Sequence, residues 1–296
     1  MADIFDFEPR VDDYAVMGNP IKHSKSPQIH SLFASQTNQS IKYTAIQVDT
    51  GGFKQAVGNF AAHKGKGLNI TVPFKEEAWA LVDERSERAE RAGAINTIKL
   101  IDGKLFGDNT DGIGLVNDLK NNYKIELSGK CILVMGAGGA ARGVLAPLLS
   151  EKPKNIVIVN RTQSKAKDLA AHFNTLGSIS GCGYEDLGYG NLTNGDLTND
   201  NLNEQQFDII INATAASLQG ELPPLPDNLV AIGGCCYDMM YGQITPFMQW
   251  AKAQGVDIIA DGLGMLVEQA AESFYIWRGV RPDTLPVLEQ LKKEIY

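Results

Sequence analysis

Several residue types are scarce in this sequence. Only four of its 296 residues are cysteine, they follow no metal-ligand spacing, and the adjacent Cys235 and Cys236 could not form an ordinary bridge. All four therefore read as reduced and mostly buried. The four histidines, His23, His30, His63 and His172, have no acidic or cysteine partner at ligand spacing, so no metal site is expected. Basic charge is also short. The 27 Lys and Arg stand against 35 Asp and Glu, giving a net charge of -8 and a pI near 5.1. Nucleic acid and anionic membrane are excluded as partners, because both need a basic face. No apolar run is long enough to span a bilayer, and the longest is broken by Arg142. The start, MADIFDFEPRVDDY, is acidic and lacks the apolar stretch of a signal or transit peptide, so a cytoplasmic location is expected.

With 44% hydrophobic and 21% charged residues the chain is an ordinary globular protein, and its length predicts about two domains. The first part alternates strands (DYAVMG, IKYTAIQV) with helices. One of these, SPQIHSLFASQ, has Ser26 suited to the N-cap and Pro27 to the first helical position. Ser24 has no such structural role, and two hydroxyls at a helix start can cradle a carboxylate.

The segment GLNITVPFKEE, residues 67–77, reads as a strand with Leu68, Ile70 and Val72 toward a core and Asn69 and Thr71 on the other face. Val72-Pro73 ends the ladder, and Lys75 falls at a helix start, where the macrodipole disfavours a cation. Further on, GDNTDGIG, residues 107–114, crowds Asp108, Asn109 and Asp111 between a short hairpin and a helix. Asp111 could serve simply as an N-cap. Paired with Lys75 it would form a carboxylate–ammonium couple able to move a proton to or from a hydroxyl.

From Cys131 the run CILVMGAGGAARGVLAPLL reads as strand, glycine turn and helix with G-x-G-x-x-A spacing at Gly136, Gly138 and Ala141. This predicts a dinucleotide-binding unit with phosphates at the helix N-terminus. The next strand, NIVIVN, ends at Asn160, Arg161 and Thr162, with Lys165 a turn later and no carboxylate for a ribose diol. That favours NADP over NAD, since Arg161 and Lys165 can meet a 2′-phosphate. FDIIINAT, AIGGCCYDMM and VDIIADG supply further buried parallel strands of a doubly wound sheet. The Gly- and Asn-rich stretch from Gly181 to Gln206 reads as a surface loop without chemistry.

The motifs GNPIKHSKSP, NITVPFKE, AGAINT, GDNTDG, GAGGAAR, NRT, NAT, CYDM and ADGLGMLVEQA, in this order, resemble the shikimate dehydrogenase family, NADP-dependent enzymes that reduce 3-dehydroshikimate. The resemblance runs nearly end to end. It implies an α/β protein of two domains with a cleft between them: a substrate domain of residues 1–111 plus 262–296, and a Rossmann NADP-binding domain of residues 112–261. Lys75 and Asp111 match the family's catalytic pair. Ser24 and Ser26 match its carboxylate-binding serines, and Asn69, Thr71, Asn96 and Gln269 its hydroxyl-binding positions. Tyr237 would close the substrate side. Gly136, Ala137, Gly138, Gly139, Ala140, Asn160, Arg161, Thr162 and Lys165 would carry NADP, with Met239 and Gly262 near the nicotinamide. The expected partner is a small molecule, shikimate or 3-dehydroshikimate, and the expected state a monomer or homodimer.

Two departures stand out. After Asn212-Ala213-Thr214 the chain reads Ala215, Ala216 and Ser217 where the family usually has Ser or Pro and soon a glycine, and the Gly181 to Gln206 stretch is longer than usual. Rival readings are an NAD-using quinate/shikimate dehydrogenase, a glutamyl-tRNA reductase and a sensor without turnover. The reductase needs a nucleophilic cysteine in its first domain, and no cysteine precedes Cys131. A sensor would have little use for both Lys75 and Asp111.

Overall fold

A computed structural model of the chain describes residues 11–187, 206–214, 216 and 220–296. It contains two compact units, one running through Thr110 and adding Val267–Leu291, the other Asp111–Leu266 with Lys292–Tyr296.

In the first unit the elements are β1 (Asp12–Gly18), α1 (Ser26–Thr37), β2 (Ile41–Gln47), α2 (Phe53–Ala62), β3 (Gly67–Ile70), α3 (Lys75–Leu81), β4 (Glu84–Arg85), α4 (Glu87–Ala92), β5 (Thr97–Ile101) and β6 (Lys104–Asp108). The sheet order is β2-β1-β3-β5-β6-β4, with β1 parallel to both neighbours and β3 antiparallel to β5. β5 and β6 form the expected hairpin. Asp102 and Gly103 at its tip both have positive φ, 49° and 79°, as a tight two-residue turn requires. Leu68 and Ile70 of β3 pack with Met17, Phe53 and Phe74 in the core.

Three local expectations shift. β3 stops at Ile70, so Thr71 lies past its end and Val72 does not enter the core but is 61% exposed. The Val72-Pro73 peptide is cis. Helix α1 starts one residue early: Lys25 is the cap, Ser26 the first helical residue, and Pro27 follows within the first turn. Ser24 does have a structural role, because its Oγ accepts from the Ser26 N–H at 3.3 Å.

The second unit begins with α5 (Asp111–Asn117) and a π-helical turn over Asp118–Asn122. Then come β7 (Cys131–Met135), α6 (Gly139–Ser150), β8 (Asn155–Val159), α7 (Gln163–Phe173), β9 (Ile179–Cys182), β10 (Phe207–Asn212), β11 (Val230–Asp238), α8 (Pro246–Ala253) and β12 (Ile258–Ala260). Strand order is β12-β11-β10-β7-β8-β9, parallel throughout, which is the doubly wound arrangement. Its strands read as unbroken apolar runs because helices cover both faces, and Val134, Ile158 and Ile211 have no exposed surface.

Gly181 and Cys182 belong to β9 rather than to a loop, and a 3-10 turn follows at Tyr184–Asp186. Residues 188–205 of that stretch lie outside the described residues. All four cysteines are free, and three are buried. Burial pushes the Cys182 and Cys235 thiols up to about 12, as expected of inert core positions. Helix α9 (Leu263–Arg278) starts in the second unit and ends in the first, and α10 (Leu285–Ile295) runs the other way. Among the described residues no helix is long and apolar enough to cross a membrane, and no cluster of His, Cys, Asp or Glu could hold a metal ion.

Candidate active site

In the first unit the chain folds its polar residues into one hydrogen-bonded net around β3. Asn69 is only 6% exposed, because β3 sits mid-sheet with both faces covered. Its Oδ1 accepts from the Tyr43 hydroxyl at 2.7 Å and lies 3.2 Å from His30 Nε2. Its Nδ2 donates to the Asn96 carbonyl, Thr97 Oγ1 and Ser273 Oγ at 3.0–3.2 Å. Asn69 thus stands inside a buried net, on the face of β3 opposite Leu68 and Ile70.

Asn96 extends that net toward the GDNTDG segment. Its Nδ2 donates to Thr110 Oγ1 at 2.9 Å and reaches Gln269 Oε1 at 3.3 Å, while its Oδ1 accepts from the Thr110 N–H at 2.9 Å. Thr110 is fully buried, and the chain passes directly from it into Asp111, the first residue of α5. Before it, Asp108 accepts from Arg88 Nε at 2.6 Å and Nη2 at 2.8 Å, from Ser86, and from the Asn109 N–H. Asn109 Nδ2 donates to the Ala94 carbonyl. Asp108 and Asn109 therefore brace the segment that presents Asp111.

Lys75 opens α3 with Glu76 and Glu77 beside it in the first turn, and its carbonyl accepts from the Ile95 N–H at 2.9 Å. Those two acids suit a helix start, which Lys75 does not. Thr71 is half-buried just beyond β3. Ser26 is 8% exposed and hydrogen-bonded to Tyr43. Sequence reasoning missed Tyr43, His30, Thr97, Thr110 and Ser273. The helical spacing of Ser26, His30 and Phe33 would have placed His30 on the buried face, with nothing to name its partner.

In the second unit the glycine turn is open where a phosphate needs it. Gly136 has φ 103°, a conformation few side-chain-bearing residues adopt, and a Cβ there would lie 3.2 Å from the Ala213 carbonyl oxygen. Gly138 caps α6, and Gly138, Gly139 and Ala140 are exposed; a Cβ at either glycine would meet nothing within 4 Å. Ala137 is half-buried and Ala141 fully buried against the sheet. One turn into α6, Arg142 Nε is buried without a hydrogen-bond partner among the described residues.

At the end of β8, Asn160 Nδ2 donates to the Thr162 carbonyl, and Arg161, Thr162 and Lys165 are exposed. Neither Arg161 nor Lys165 forms an ion pair among the described residues, so a 2′-phosphate would find two uncommitted cations. The residues present fit a phosphorylated dinucleotide.

Met239 and Gly262 meet: a Cβ on Gly262 would lie 2.2 Å from the Met239 carbonyl oxygen. Tyr237 is fully buried and its hydroxyl donates to Asp118 Oδ2 at 2.6 Å, within the second unit. Burial raises the Asp118 carboxyl, partly offset by Tyr237 and by Asn122, which donates to Oδ1 at 2.7 Å. Thr214 bonds Asn212 Oδ1 through both its N–H and its hydroxyl, and Ala216 N–H donates to Thr214 Oγ1. Ala215 and Ser217 lie outside the described residues.

Three family models match the chain: Shikimate dehydrogenase substrate binding domain over residues 16–98, Shikimate / quinate 5-dehydrogenase over 118–219, and Shikimate 5'-dehydrogenase C-terminal domain over 262–292. A protein of Alkalilimnicola ehrlichii named Shikimate dehydrogenase (NADP(+)) is 55% identical over 284 residues, 96% of this chain and 99% of that protein. One of Hahella chejuensis with the same name is also 55% identical with the same coverage. Among solved structures, the Ael1 enzyme from Pseudomonas putida has a TM-score of 0.85 at 45% identity, over 95% of this chain and 98% of that one. A Thermus thermophilus shikimate 5-dehydrogenase in complex with NADP(H) and shikimate has a TM-score of 0.80 at 30% identity, over 96% and 99%. This chain belongs to the shikimate dehydrogenase family.

Proposed function

We propose that this chain catalyses the reversible NADP-dependent reduction of 3-dehydroshikimate to shikimate, a step toward chorismate and the aromatic amino acids. The observation that carries this is near-complete alignment, at 55% identity, with proteins named Shikimate dehydrogenase (NADP(+)). The lack of a carboxylate after β8 supports NADP over NAD, and so disfavours the NAD-using quinate/shikimate type.

Residues 1–111 with 262–296 serve the substrate and residues 112–261 the cofactor. Ser24 and Ser26 bind the carboxylate, and Thr71, Asn96 and Gln269 meet ring hydroxyls within the frame that Asn69 organises. Lys75 and Asp111 move the proton of the reacting hydroxyl. NADP supplies the hydride chemistry, and Gly136, Gly138, Gly139, Ala140, Arg161 and Lys165 hold its phosphates. The site acts on a small molecule in the cytoplasm.

The test is absorbance at the reduced-nicotinamide band when protein is mixed with shikimate and either NADP or NAD. Rapid reduction of NADP with little response to NAD is expected. NAD preference would move the chain to the quinate/shikimate type, and silence with both would mean a binding protein without turnover.

A further inference from the structure

Asn69 has no spare hydrogen-bonding capacity. A carboxamide offers two acceptor lone pairs and two N–H donors. Here the acceptors face Tyr43 and His30, and the donors face Asn96, Thr97 and Ser273. The Asn96 carbonyl cannot donate, so Nδ2 must be the atom that faces it, and Oδ1 must face the imidazole. That fixes the tautomer of His30. Its Nε2 carries the proton, and its bare Nδ1 is buried without a partner.

The surroundings of His30 are aromatic. The ring is fully buried, lies stacked on Tyr43 at 4.2 Å between centroids, and is flanked by Phe33, Phe274 and Trp277. A charge there would be costly, and burial drives the imidazole down to about 3. Tyr43 likewise keeps its proton, because burial pushes the phenol well above its ordinary value. That single proton goes to Asn69, so the Ser26 hydroxyl is the donor in the Ser26–Tyr43 bond.

Tyr43 therefore joins Ser26 to Asn69, and Asn69 in turn holds the Asn96 backbone. Resting on the assignment of Ser26 and Asn96 to shikimate made above, we infer that Tyr43 and His30 are positioning residues: by locking the Asn69 amide they fix where Ser26 and Asn96 meet the substrate. Neither touches the reacting atoms. Asn69 works as the hub of this frame rather than as a ligand with free donors of its own.

The experiment compares Tyr43→Phe, His30→Leu and His30→Gln with the parent in steady-state shikimate oxidation, alongside thermal unfolding. Tyr43→Phe keeps the ring on His30 and removes only the hydroxyl. The KM for shikimate should rise roughly five- to tenfold, the equivalent of one lost hydrogen bond, with the KM for NADP within about twofold of the parent. His30→Leu should raise the same constant, and His30→Gln, which keeps a donor near the Nε2 position, should recover most of it. A melting temperature that falls in Tyr43→Phe and His30→Leu while both KM values hold would overturn the inference, leaving those residues a packing role only. If the parent itself does not oxidise shikimate, the proposed function fails and the inference with it. An active parent with unaltered variants overturns the inference alone.

Discussion

Arg88 grips Asp108 with two parallel hydrogen bonds, Nε to Oδ1 at 2.6 Å and Nη2 to Oδ2 at 2.8 Å. The carboxylate is 5% exposed, and Glu272 meets the same guanidinium at 3.1 Å. The pair sits three residues ahead of Asp111, where a loosened backbone would move the proposed acid–base group.

Removing one partner of a buried pair strands the other charge. Arg88→Ala should cost about 3 kcal/mol in chemical denaturation. Arg88→Lys should recover only part, because an ammonium cannot reproduce the two-pronged geometry. An Arg88→Ala loss within experimental error of zero would show that Asp108 is held by Ser86 and the backbone alone.

Lys75→Ala should lower kcat by about 10²- to 10⁴-fold, the usual share of a positioned acid–base group. NADP binding, followed by nucleotide fluorescence, should be unchanged. Near-parental turnover would remove Lys75 from the proton-transfer pair.

Arg161→Ala should raise the KM for NADP by about 10- to 100-fold, the worth of a charged hydrogen bond to phosphate. The constant for NAD should barely move, so the preference for NADP narrows. Equal losses with the two nucleotides would mean that Arg161 serves adenine or backbone rather than a 2′-phosphate.

His30 predicts an acid-labile fold. Its imidazole falls from 6.5 to about 3 on folding, so below pH 6.5 the unfolded chain takes up a proton that the folded chain refuses. Above pH 6.5 His30 is neutral in both states and adds no pH dependence, and stability drains away between there and about pH 3, by at most about 1.4 kcal/mol per pH unit. Thermal unfolding of His30→Gln across pH 4 to about 7 should be flatter than the parent's. Parallel curves would show that other groups set the slope.

The Rossmann half was legible in the sequence because its strands and turns are local patterns. Gly136, Gly138 and Ala141 announce their turn by spacing, and Arg161 its charge by position. The short range of such signals also explains what stayed hidden. Nothing near Tyr43 in sequence points to Asn69, 26 residues on, and nothing near Ser273 points to it either, since the partners are 204 residues apart. Val72 was misplaced because strand alternation says nothing of where a strand stops. Ser26 moved one position because capping signals fix a helix start only to within a residue or so.

The first unit's chain leaves at Thr110 and does not return until Val267. During synthesis the ribosome therefore completes nearly all of the second unit before Gln269 and Ser273 exist to finish the net around Asn69 and Asn96. Until they emerge, Trp277 has not covered Gly67, and the amides of Asn69 and Asn96 lack their last partners. A nascent chain arrested before Val267 would carry a nearly complete nucleotide module and an incomplete substrate module, so the unit begun second is the first to approach completion.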